Sequence, residues 1–215
     1  MRRVLIAGAV VIVGLTAVDA EAQGRRVWKE WYGHFQGAWV TPMGDTGDVA
    51  EDGWALEGGA TFVPDGRPLG FWGSFGFMDM DLTREVLDAF ESPGGDISVW
   101  QLTTGVSYSF ELSPSFDIGV SAGIGGYNVE ARLTEAGQIC GTICDPYFWW
   151  ICVPGCLPGT VVTASESTTK FGYNVGIEFA FDVGVTTEIY LQARYHVINT
   201  KVETELLPMA IGVRF

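Results

Sequence analysis

The chain has 215 residues, with 12 Lys and Arg against 26 Asp and Glu, for a formal net charge of -14. Its 47% hydrophobic content can offset the entropy of ordering, so intrinsic disorder is excluded, and its acidity argues against a nucleic-acid partner. Only 18% of residues are charged while Gly (29 residues) and aromatics (13%) run high, and the length suits one domain rather than two.

The chain opens on Met1-Arg2-Arg3, followed by an uncharged apolar run from Val4 to Val18 and a small-x-small site at Ala20-Glu21-Ala22. Fifteen apolar residues fall short of the about 20 a spanning helix needs, so residues 1–22 read as an export signal. Removal takes two basic and two acidic residues, and the mature part, 23–215, keeps the same net charge.

From Trp28 onward the hydrophobic pattern has a period of two, which predicts strands at about 29–41, 54–63, 69–78, 97–110, 116–130, 171–181, 185–197 and 205–215. In 97–110, Trp100, Leu102, Val106, Tyr108 and Phe110 share one face, while Gln101, Thr103, Gly105, Ser107 and Ser109 share the other. The links alternate: long at 42–53, short at 64–68, long at 79–96, short at 111–115, very long at about 131–166, short at 182–184. A transmembrane barrel explains that rhythm, because its periplasmic turns are short and its outer loops long. A soluble lipocalin-like barrel would also have eight strands with one apolar side. Against it, the polar faces are Gly, Ser, Thr and Asn with almost no Lys, as suits a narrow interior. Aromatics also gather near strand ends (Trp28, Trp31, Trp39, Trp54, Phe62, Phe71, Phe110, Phe116, Phe181), where an interfacial girdle would sit. The predicted fold is therefore all-β, an eight-stranded antiparallel up-and-down transmembrane barrel.

The terminal Ile211-Gly212-Val213-Arg214-Phe215, with GHFQGAW at 33–39, GWALEGGATF at 53–62 and EIYLQARYH at 188–196, resembles the small outer-membrane β-barrel domain family, barrels of the OmpA/OmpX type. The resemblance implies a bacterial outer-membrane location, with lipid as surroundings and a C-terminal insertion signal (Ile211, Gly212, Val213, Phe215) read by the barrel-insertion machinery. A monomer without a cofactor is expected. Members include adhesins, membrane organisers and barrels of unknown role, so it implies a location rather than an activity.

By parity the lumen receives Glu57, Asp117, Glu178, Glu188, Arg194 and Arg214, with His34 and His196. A hairpin centred on 183 would set Glu178 opposite Glu188, and one centred on about 201 would set Glu188 opposite Arg214. A Glu178–Glu188–Arg214 cluster at the periplasmic end is therefore expected, with Arg194 higher and facing Glu57. Burial requires such pairing, and the expected result is a lumen plugged with salt bridges; the alternative is a small gated channel. A lipid-modifying enzyme is a second alternative; outer-membrane barrels of the deacylase type carry a His-x-Ser arrangement on a late strand, and here His196-Val197-Ile198-Asn199 has Ile198 where that resemblance would require the hydroxyl.

Cys140, Cys144, Cys152 and Cys156 all lie in the longest link, and in an exported protein an even count reads as disulfides. Of three pairings, the nested one (Cys140–Cys156, Cys144–Cys152) would clamp a β-ribbon; a four-thiolate zinc site is the rival. Between them Tyr147, Phe148, Trp149, Trp150 and Ile151 form an apolar patch, read either as a contact site for a surface ligand or as an addition to the lipid-interface girdle. Asp45, Asp48, Glu51 and Asp52 read as solvated acidity rather than a calcium site, and Asp81–Glu91 as a short helix over the barrel mouth.

Overall fold

The computed structural model describes residues 31–64, 68–144, 152–184, 186–200 and 203–215. Its strands are β1 (Trp31–Met43), β2 (Ala50–Phe62), β3 (Leu69–Leu82), β4 (Gly94–Ser113), β5 (Phe116–Cys144), β6 (Cys152–Asp182), β7 (Glu188–Ile198) and β8 (Thr204–Arg214). Each pairs antiparallel with the next, and β8 returns to pair with β1, closing the barrel. Gly33 and Phe215 exchange both backbone hydrogen bonds at 2.9 Å, so the last residue seals the wall. One short 3-10 helix (Gly44–Asp48) follows β1, and one helix, α1 (Arg84–Ala89), follows β3.

Alternation sorts the side chains between two environments. Phe35, Trp39, Leu56, Phe75, Leu102, Ile124, Phe171, Leu191 and Ile211 stand exposed on the outer wall. Gln36, Glu57, Ser74, Gln101, Thr103, Asn174, Gln192 and Arg194 are buried inside. Apolar residues outside and polar residues inside is the reverse of a water-soluble barrel. Aromatics band both rims of this wall: Trp31 packs on Phe62 and Phe116 on Phe181 at the short-turn end, while Trp54, Phe77 and Trp100 pack in series nearer the long-loop end. Trp28 and residues 1–22 lie outside the described residues.

Small residues make room for large ones within the lumen. The Trp72 indole lies so close to Gly105 and Gly123 that a Cβ on either would sit 2.8 or 2.6 Å from the ring, and one on Gly105 would also meet the Ala122 carbonyl. The indole N–H donates to the Val106 carbonyl at 3.2 Å, which fixes the ring across the strands.

Several elements differ from the sequence reading. Most of the supposed loop 131–166 is strand, because β5 and β6 continue pairing to Cys144 and Cys152, far beyond their other neighbours. A bulge between Leu133 and Thr134 marks where the barrel wall gives way to this ribbon. The β6–β7 hairpin is centred two residues later than expected, pairing Asp182 with Glu188, since Val183 N–H bonds the Thr187 carbonyl and opens a longer turn. Glu178 is therefore opposite Gln192 rather than Glu188. α1 is shorter than 81–91: Asp81 belongs to β3, and Thr83 stands at the N-cap position, its carbonyl accepting from Leu87 N–H while its hydroxyl donates to the Asp48 carbonyl rather than to the helix. Phe90 is 65% exposed and does not cover the mouth.

The glycine constraint is testable. Gly105→Ala should destabilise the barrel by about 1–3 kcal/mol through overpacking, read as a lower urea midpoint in lipid vesicles. Gly126→Ala, where a Cβ would meet nothing within 4 Å, should leave the midpoint in place.

Candidate functional site

Chemistry-bearing residues collect in two places, the lumen and the projecting β5–β6 ribbon. In the lumen they form layers along the barrel axis. Nearest the short turns, Arg214 Nη1 donates to Glu188 Oε2 at 2.9 Å and Nη2 to Glu178 Oε1 at 2.5 Å. The guanidinium lies over the Tyr190 ring, and Gln192 donates to the second oxygen of Glu178 at 3.2 Å. The strand register sets Glu188 directly opposite Arg214, whereas Glu178 reaches the same arginine from a diagonal position. Asp117 is buried at this level.

The next layer holds Arg194 and Glu57. Arg194 Nη1 donates to both Glu57 oxygens, at 2.9 and 3.2 Å, and Gln101 Nε2 adds a bond to Glu57 at 2.7 Å. Arg194 also stacks 4.5 Å from the Trp72 ring. With 6% and 5% of their side-chain surface exposed, these two ions neutralise one another away from bulk water. Buried charge in a narrow barrel persists only in such company.

Above them His196, wholly buried, has Nδ1 2.9 Å from the Tyr127 hydroxyl, and Asn174 donates to that hydroxyl at 3.4 Å. His196 is thus paired with a tyrosine, and its strand neighbour Ile198 packs in the core. His34 is buried lower down, lining a cavity of about 360 Å³ near the short-turn end together with Tyr32, Trp72, Tyr190 and Arg214.

Toward the long loops the lumen changes character. Val40, Ala55, Met78, Met80, Val99, Ile198 and Leu206 form a buried apolar cluster across the interior. The expected lumen filled by a plug of salt bridges is therefore corrected: ion pairs occupy the short-turn half, and an apolar septum of buried side chains lies across the other. Sequence reasoning missed the septum because Met78, Met80 and Leu206 share the inward parity but read as ordinary core residues. Thr46 then ties the 3-10 helix to β8, accepting from Glu205 N–H at 3.0 Å and donating to the Glu203 carbonyl at 3.4 Å.

At the base of the ribbon, Arg132 donates to both oxygens of Glu130, at 2.9 and 2.8 Å. These bonds hold the Glu130 carboxyl below its ordinary value. Along the ribbon the backbone register sets Cys140 opposite Cys156 and Cys144 opposite Cys152. The aromatic patch Tyr147, Phe148, Trp149, Trp150 and Ile151 lies outside the described residues. Asp45, Asp48, Glu51 and Asp52 are all exposed, and no group of three or more His, Cys, Asp or Glu able to hold a metal occurs among the described residues. The terminal residues fall as alternation requires, with Ile211 and Phe215 exposed on the wall and Gly212 buried against Tyr190.

A closed antiparallel barrel with an apolar, aromatic-banded wall and internally paired charges defines the class of transmembrane β-barrels. The comparison with known proteins agrees. The model of the outer membrane protein beta-barrel domain matches residues 7–215, and the chain belongs to that family. Its location is the bacterial outer membrane, so the short turns face the periplasm and the long loops the exterior. Among solved structures it is similar to Neisserial surface protein A, at 13% identity over 86% of this chain and 96% of that one, with a TM-score of 0.57. It is also similar to a major outer membrane protein from Thermus thermophilus, at 13% identity over 86% and 98%, with a TM-score of 0.52. No curated protein matches the sequence.

The buried pair yields a prediction. Arg194→Leu alone should cost about 3–5 kcal/mol of barrel stability, because it strands the Glu57 carboxylate. The double variant Glu57→Leu, Arg194→Leu should recover much of that loss in the same vesicle unfolding assay.

Proposed function

We propose that this protein is a non-enzymatic outer-membrane barrel that displays its outer segments, above all the β5–β6 ribbon, for adhesion or another surface interaction, or for envelope organisation. One observation carries the reading. Beyond Thr134, the last residue paired to β4, β5 and β6 pair only with each other through Cys144 and Cys152. At strand rise this ribbon projects roughly 35 Å. Nothing in barrel closure calls for that length, so a role for its tip is the economical explanation. Between Cys144 and Cys152 the sequence runs through Tyr147, Phe148, Trp149, Trp150 and Ile151, an apolar composition suited to contact. In this reading residues 1–22 direct export and are removed, the insertion machinery reads the terminal Ile211–Phe215 strand, the cysteines are oxidised, and the barrel works as a monomer without a cofactor.

The septum weighs against the channel alternative. Water and ions entering the periplasmic cavity meet Met78, Met80, Val99, Ile198 and Leu206, and a second cavity, beside Met78 and Arg194, measures only about 10 Å³. An apolar layer of this kind opposes the passage of water and ions, because hydrophobic constrictions favour dewetting. Against the lipid-modifying alternative, the hydroxyl that meets His196 Nδ1 belongs to Tyr127, which like His196 is buried inside the barrel rather than turned to the lipid.

Deleting 140–156 tests the display reading. Cells exposing the shortened barrel should adhere to host-cell matrix at least tenfold less than cells exposing the full chain, with equal amounts of folded barrel. Equal adherence would contradict it. In planar bilayers the full chain should show no conductance steps; regular steps would return the channel to first place, and a changed lipid A mass would favour the enzyme.

A further inference from the structure

We propose that Cys140 is bonded to Cys156 and Cys144 to Cys152, two disulfides laid across the ribbon like rungs. Four cysteines allow three pairings, and the register separates them. Cys140 and Cys156 are direct cross-strand partners, as are Cys144 and Cys152. Partners opposite one another in an antiparallel pair have Cα atoms about 4.5–5.5 Å apart, within the about 4.4–6.8 Å that a disulfide spans. Cys140 and Cys144 lie four residues apart on one strand, about 13 Å at strand rise, and the crossed partners Cys140 and Cys152 are farther still. Neither alternative closes without dismantling the ribbon. The same spacing removes the zinc site, since four sulfurs at about 2.3 Å from one ion cannot come from two rungs about 13 Å apart.

A physical need for the staples is also present. Two strands without a third, and without a core to cover, are marginal in water. This ribbon also carries Gly137, Gly141, Gly155 and Gly159, along with Pro154 and Pro158, which donate no ladder hydrogen bond. Weak intrinsic pairing and paired cysteines at two rungs belong together.

Each bond forms when two thiols give up two protons and two electrons. The acceptor is the disulfide of a periplasmic thiol–disulfide oxidoreductase, which leaves as a dithiol after a mixed-disulfide intermediate. Two rungs consume two such acceptors, and the compartment the chain crosses is oxidising. The functional consequence rests on the display reading above, whereas the pairing does not. A Cys144–Cys152 bond would join the two ends of the sequence segment 145–151, which lowers the ordering cost of any binding by it. Reduction should then weaken adherence without unfolding the barrel.

Serine variants that leave two cysteines at a time provide the test, each made in the full chain and isolated with thiols blocked. Cys144→Ser with Cys152→Ser, and Cys140→Ser with Cys156→Ser, should each show no alkylatable thiol and a mass lower by two hydrogens. Cys152→Ser with Cys156→Ser, and Cys140→Ser with Cys152→Ser, should each show two alkylatable thiols. Wild type should show none, and chymotryptic cutting within 147–150 should yield fragments that separate only after reduction. Closure of the mismatched pairs as complete as the matched ones, or four alkylatable thiols in wild type, would overturn the pairing. Matched pairs that close without any effect of reduction on adherence would leave the pairing standing and remove its link to display.

Discussion

Inside hydrocarbon no water is available to the backbone, so every N–H and C=O must find a partner within the protein. A sheet can meet that demand only by having no edges. Here the demand is met by the seam between β1 and β8, completed by the reciprocal bonds of Gly33 and Phe215. Once the seam closes, each strand has an inside and an outside, and period two becomes a division between lipid and lumen. The aromatic bands, the paired charges and the inward glycines under Trp72 all follow from that division.

The lumen then solves a second problem along its length. Charges in a narrow interior must be paired, and Arg194 and Arg214 each have carboxylate partners on neighbouring or facing strands. The pairs occupy the half that opens to the periplasm, where a cavity of about 360 Å³ lies. The exterior half is filled by Met and branched aliphatic side chains. The loops and the ribbon are the segments least constrained by closure.

Alternation makes most of this legible in the sequence. The inward set Glu57, Asp117, Glu178, Glu188, Arg194 and Arg214 follows from parity alone, because a one-residue slip would move a charge into lipid. The pairing of Glu188 with Arg214 is readable from a hairpin centre. The position opposite Glu178 is not, since turn length shifts register and Val183 to Thr187 make a wider turn. The ribbon is hidden because Gly- and Pro-rich residues such as Gly155, Pro154 and Pro158 read as loop, while cross-strand pairing overrides local preference. The septum is hidden for another reason: Met78 and Leu206 have inward parity, but parity does not give height along the axis.

The central claim is that the chain forms a closed barrel held in the outer membrane. The most direct measurement is electrophoretic: the outer-membrane fraction of cells expressing the full chain, run in detergent with and without boiling. The account predicts a band that migrates faster unboiled, because a closed hydrogen-bonded wall resists the detergent until heat opens it. A soluble periplasmic protein with the same mobility in both lanes would contradict the account and require the apolar faces to point inward.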